Sequence, residues 1–179
     1  KTLFGFVQSP LIEDGGDGGR ANRIVAVDLE SEQVRQYAYD NFLADKAKAY
    51  NSSEVLALNS HELLVLERDG KGLGDDSKAV VKRIYKIDLA GAQDVSDLSG
   101  EAALLLKANG KSLFLDIAAK LAAAGIAADQ IPAKLEGMAF GEDVVVDGAV
   151  KHTLYVGNDN DFLAVTPGGK TNPNQWYVF

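Results

Sequence analysis

The chain has 179 residues, 46% of them hydrophobic, with a formal net charge of −8 and no cysteine. That length supports one domain with a real core, and the acidity argues against a nucleic-acid backbone or an anionic membrane as the main partner while remaining compatible with cation binding. Zero cysteines exclude disulfides, thiolate metal sites and a cysteine nucleophile, and no apolar run is long enough to span a membrane.

Along the chain, strand-like runs dominate: short, β-branched or aromatic, and bounded by turn residues. Thr2–Val7, Arg23–Leu29 and Val34–Tyr39 form a first group. Glu54–Leu58, Glu62–Glu67, Val80–Leu89 and Ala102–Leu106 form a second. A helix is expected over Ser112–Ala124, with Ser112 as its cap and Leu113, Ile117 and Leu121 as an apolar stripe at helical spacing. Gly125 is its natural stop. A third group follows in Leu135–Phe140, His152–Gly157 and Gln175–Phe179, with an Asp147-Gly148 hairpin signal between Val146 and Val150. With no Met at position 1 and no signal-peptide pattern, the sequence reads as a processed chain or a fragment.

One pattern recurs in all three groups. A strand leads into an acidic, glycine-rich loop, and a second strand follows: Leu3–Leu29, Leu63–Leu89 and Leu154–Phe179. Repeated antiparallel units of this kind are the signature of β-propeller blades. The order reads as strands two to four of one blade, a full blade, then strands one to three of another. The expectation is all-β with one inserted helix, a single domain over residues 1–179 forming the C-terminal blades of a six-bladed ring. A complete small β-sandwich or open sheet of about ten strands is the alternative.

Loops in equivalent places of repeated units emerge at one rim, which gathers carboxylates. Glu54 and Glu136 open inner strands; Asp159 and Asp161, and likewise Glu67 and Asp69, end second strands; Asp14 and Asp17 map to the same rim. Calcium takes six to eight oxygens from carboxylates and carbonyls, so Glu136 with Asp159 and Asp161, and Glu54, are candidate metal ligands. Arg68 is a candidate for bidentate phosphate binding, with an ion pair to acidic neighbours as its competing role. Arg20 and Arg23 carry the same two readings, while Lys71, Lys78 and Lys82 are expected on the surface. His61 and His152 precede second strands and so map to the opposite rim. No EF-hand loop, P-loop or Gly-x-Ser-x-Gly elbow is present.

The segments HELLVLERDGKGLG, KRIYKIDLAGAQDVSDL, KLEGMAFG and TLYVGNDNDF together resemble the phytase-like domain family, described as having esterase-like activity of phytase. The resemblance runs over nearly the whole chain, QSPLIEDGG included. It implies a β-propeller in the clan of calcium-dependent alkaline phytases, and proteins usually exported by bacteria, hence a periplasmic or secreted location. Glu136 matches the family's Glu-Gly-Met motif, Asp159 and Asp161 its Asn-Asp-Asn-Asp motif, and Glu67, Arg68 and Asp69 its Glu-Arg-Asp motif.

The leading expectation is calcium-assisted hydrolysis of a small phosphate ester, with Glu136, Asp159 and Asp161 on the metal and Arg68 on the phosphate. Glu67 and Asp69 stand beside Arg68 as further catalytic candidates. The missing N-terminal blades would come from another fragment or chain. A calcium-stabilised propeller that binds ligands or protein partners without catalysis is the alternative. It draws on the shortage of basic residues at the acidic rim, because a phosphatase working on a polyanion needs them. A lactonase-like hydrolase would need a histidine at the acidic rim.

Overall fold

The computed structural model describes residues 1–179. The fold is mostly β, with two short helices and one 3-10 turn at Ile12–Asp14. The strands are β1 (Thr2–Phe6), β2 (Ala21–Asp28), β3 (Val34–Asp40), β4 (Phe42–Leu43), β5 (Lys48–Ala49), β6 (Asn51–Ala57), β7 (Glu62–Arg68), β8 (Lys82–Asp88), β9 (Lys111–Asp116), β10 (Leu135–Phe140), β11 (Val144–Val146), β12 (Ala149–Lys151), β13 (Leu154–Asn158) and β14 (Trp176–Val178). The helices are α1 (Glu101–Leu105) and α2 (Ile117–Ala123). The main sheets run β1-β2-β3, β6-β7-β8-β9 and β10-β13-β14; the pairs β4-β5 and β11-β12 are small hairpins. Asp147 and Gly148 both take positive φ, 52° and 76°, in the two-residue turn that joins β11 to β12, as the Asp-Gly signal requires.

Two elements differ from the sequence expectation. Ala102–Leu106 is not a strand: Glu101–Leu105 is helical. A five-residue apolar run has no period that separates strand from helix, and alanine and leucine are strong helix formers. The fourth strand of the second sheet is instead Lys111–Asp116, so the following helix starts at Ile117. Its cap is Asp116, whose carboxylate accepts the Ala119 N–H at 2.9 Å. Ile117 and Leu121 are buried as the stripe demands, whereas Leu113 is 53% exposed on β9. Glu54 sits inside β6, which begins at Asn51, rather than at a strand start.

The chain divides into two compact units, residues 1–67 with 83–115, and residues 68–82 with 116–179. In the first, Ile24, Tyr39, Leu63, Val65, Ile87 and Leu89 form one core cluster, and Ala21, Ala38, Val95 and Leu104 another. In β7, Leu63, Leu64, Val65 and Leu66 are all fully buried. Both faces of that strand are therefore covered, which explains its unbroken apolar run. In the second unit Ile117, Leu121, Ile131, Leu135, Met138, Leu154 and Val156 are buried.

Charge is buried in the first unit as well, and each group is matched internally. Arg23 uses five hydrogen bonds: two to the Asp14 carboxylate and one each to Gln36 and the carbonyls of Val95 and Leu98. Asp14, fully buried, also accepts the Gly100 N–H at 2.9 Å. Burial works against its charge, but Arg23 and Gly100 more than offset this and hold its pKa below the usual 3.8. Glu67, also fully buried, accepts the Tyr39 hydroxyl at 2.6 Å and the Lys111 ammonium on the same oxygen. Its second oxygen has no partner. Burial pushes Glu67 up to about 6, with Lys111 and Tyr39 pulling back the other way.

These pairs give opposite pH signatures. Asp14's native pKa is depressed, so its stabilisation is present above its ordinary value of 3.8 and is lost as pH falls through the native value. Asp14→Asn should cost about 3–5 kcal/mol at neutral pH by leaving Arg23 unpaired, and should flatten the acid limb of a denaturant-derived stability profile. Glu67's native pKa is raised from 4.5 to about 6, so the native state binds the extra proton and stability falls as pH rises across that window. The wild-type decline between those values should be about 2 kcal/mol and should shrink in Glu67→Gln, measured by urea melts at both pH values.

Candidate functional site

The sequence candidates of the second unit converge at one end of the β10–β13 pair. Leu135 pairs with Asn158 and Gly137 with Gly157, so Glu136 is the extra residue of a β-bulge. A bulge re-aims the side chain it carries. Here the Glu136 carboxylate meets the Arg68 guanidinium in an ion pair. Asp159 lies at the same end of the sheet, its N–H donating to the Lys134 carbonyl at 3.0 Å.

Arg68 is the last residue of β7 and only 8% of its side chain is exposed, against 30% for Glu136. Its Nε is buried without a partner. The guanidinium is thus a mostly desolvated cation held by a single, more accessible carboxylate. A group of this kind favours an oxyanion, because its fork of N–H donors matches carboxylate and phosphate oxygens two at a time.

The three residues of the Glu-Arg-Asp motif do not act as one cluster. Successive residues of a strand face opposite ways, and Glu67 is enclosed with Tyr39 and Lys111. Asp69 is spoken for on both oxygens. One accepts the Val80 and Val81 N–H groups at 2.8 and 3.0 Å; the other takes the Lys82 ammonium at 2.7 Å and the Lys71 N–H at 3.3 Å. Neither carboxylate is presented to solvent as a base.

Lys82 corrects the expectation of a surface lysine: it is fully buried. Its ammonium donates to the Asp69 carboxylate, the Asp69 carbonyl at 2.8 Å and the Ala133 carbonyl at 2.7 Å. Burial lowers its pKa to about 8, with Asp69 opposing the shift. The signal was present in the sequence, since Lys82 shares the strand face of Ile84, which is also fully buried. The backbone fixes the same loop. Leu73 and Ala133 exchange hydrogen bonds with this stretch through Leu73 N–H to Ile131 and Ala133 N–H to Leu73. Gly72, at φ 132°, permits that approach, because a Cβ there would strike the Ile131 carbonyl.

Asp161 accepts the Lys134 ammonium at 2.6 and 2.7 Å, and Asp159 accepts the Asp161 N–H at 2.8 Å. Asn160 and Asn172 bond each other's backbone carbonyls and close the loop behind them. Together with Gly70, Leu73 and Gly74, these residues border a cleft of about 170 Å³. Glu54 belongs to the first unit, where a carboxylate oxygen accepts the Val55 N–H. Among all residues no three His, Cys, Asp or Glu side chains gather as a metal-holding group. Of the metal-ligand candidates, Glu136 is ion-paired with Arg68 and Asp161 with Lys134.

Arg20 holds Asp40 in an ion pair, and Asp17 is exposed. His61 binds Asp88 at 2.8 Å just before β7, at the far end of that strand from Arg68, and His152 binds Asp143 at 2.7 Å just before β13.

No helix is long and apolar enough to cross a membrane. No curated protein and no solved structure matches the chain. A family model does: Phytase-like, esterase-like activity of phytase, over residues 1–162. That match covers the bulged Glu136, Arg68 and both Asp159 and Asp161, and it suggests a hydrolase-type function. The chain belongs to the phytase-like family.

Proposed function

We propose that this chain forms consecutive blades of a phytase-like β-propeller that hydrolyses a small phosphate ester, with Arg68 as the anion-binding residue. The observation that carries the reading is the Arg68–Glu136 pair, a nine-tenths buried guanidinium whose only side-chain partner is a carboxylate on a bulge. A phosphate oxygen competes for the same donors. When the ester takes Arg68, Glu136 is released beside it and accepts a proton from the attacking water. The new bond forms from that water oxygen to phosphorus, the ester P–O bond breaks, and the departing oxygen takes a proton from solvent. Arg68 offsets charge on the phosphoryl oxygens through this step.

The sheet topology supports the blade reading, since each main sheet keeps sequence-adjacent strands side by side apart from the β11–β12 hairpin. The family's habit of export belongs to the same proposal. Calcium enters as a question for the assay: Asp161 and Glu136 would first have to give up Lys134 and Arg68, and no step above depends on it.

One observation favours a second reading, a non-catalytic propeller that binds ligands or protein partners and is stabilised by calcium. The lysines beside the candidate carboxylates are committed, Lys134 to Asp161 and Lys82 to Asp69, which leaves few charges for a polyanion.

The deciding experiment is phosphate release from p-nitrophenyl phosphate by the whole protein, with and without calcium. Turnover is expected, with kcat/KM reduced about 10²-fold or more in Arg68→Ala. Arg68→Lys should fail to restore it, because an ammonium lacks the bidentate fork. Glu136→Gln should lower kcat more than it alters KM. No turnover by the wild type with or without calcium would sink the hydrolase reading in favour of binding.

A further inference from the structure

The oxygens around Lys82 have the make-up of a cation site: one carboxylate oxygen and two backbone carbonyls, each 2.7 to 2.8 Å from a single point. Here the point is the Lys82 nitrogen, fully buried, with one acceptor for each of its three N–H groups. We infer that Asp69 and Ala133 form a cation site whose resident cation is the chain's own Lys82 ammonium, and that this ammonium organises the acidic loop at the Arg68 end without a bound metal.

The consequences follow from where the three oxygens come from. Asp69 closes the 70–81 loop onto itself, because its second carboxylate oxygen binds the Val80 and Val81 N–H groups. Ala133 stands three residues before Glu136 and Asp69 one after Arg68. A single ammonium therefore pins the end of β7 to the run leading into β10. It is a positioning residue for the Arg68–Glu136 contact, although the inference stands whether or not the protein is a hydrolase. Covalent attachment is why the arrangement can dispense with an ion from solution: the local concentration of the cation is fixed by the chain, and assembly costs the side chain's rotamer freedom but not the translational freedom of a free ion.

The test is chemical rescue. Lys82→Ala removes the cation and leaves the oxygens around a space for a small replacement; Lys82→Met fills that space with an uncharged side chain. Thermal unfolding is followed for the wild type and both variants in sodium, potassium, methylammonium and calcium chlorides at matched ionic strength. Both variants should melt roughly 10 °C below the wild type. Methylammonium should restore several degrees to Lys82→Ala in a saturable way and nothing to Lys82→Met or the wild type. A Lys82→Ala protein indifferent to every cation would overturn the inference. Should that variant not fold, the wild type still decides, through the ¹³Cε and ¹⁵Nζ resonances of Lys82. A protonated ammonium in slow exchange at pH 7 supports the inference, and a neutral amine contradicts it.

Discussion

Charge buried at strand ends and in their loops has to be matched inside the protein, because an unpaired ion in a low-dielectric interior costs far more than this fold can spare. The strands bring the partners. In the first unit Arg23 reaches Asp14, and Lys111 reaches Glu67. In the second, Lys82 reaches Asp69, and Arg68 reaches Glu136. Three of these pairs are closed, with both members largely or wholly buried. In the fourth a buried arginine faces a carboxylate that is 30% exposed. In the proposed function, that asymmetry is what lets Arg68 exchange its partner for a solute without opening the core.

Much of the fold was legible because alternation and turn chemistry are local. β1 to β3, the Asp147-Gly148 hairpin and the acidic loop between β7 and β8 follow directly from residue order. The errors have physical causes. Ala102–Leu106 has apolar residues throughout, so its helix depends on Leu104 packing against Ala21, Ala38 and Val95, residues distant in sequence. Ser112 and Asp116 are both reasonable caps, and the choice between them was made by Lys111–Asp116 pairing as an edge strand.

The site was legible in part. That Glu136 and Asp159 would share an end of one sheet followed from the repeated hairpins, and the Leu135–Asn158 pairing puts them there. The bulge at Glu136 was not visible, since it appears only when two strands are laid in register. The burial of Lys82 was missed because a lysine is read by its charge before its strand phase. Asp69 looked like a rim carboxylate for the same reason, yet its oxygens serve the backbone and Lys82. The Glu-Arg-Asp motif therefore divides three ways: a core carboxylate, a buried guanidinium paired with the bulged strand, and a loop anchor. Only the middle residue pairs with the bulged strand.

The claim that rests most directly on this account is that Arg68 can trade Glu136 for an anion from solution. Its clearest measurement is the ¹⁵N resonance of the Arg68 Nε–H group during titration of the intact protein with inorganic phosphate. The account predicts a saturable shift in the wild type that sharpens to tighter binding in Glu136→Gln. A resonance that stays fixed in both proteins up to saturating phosphate would contradict it.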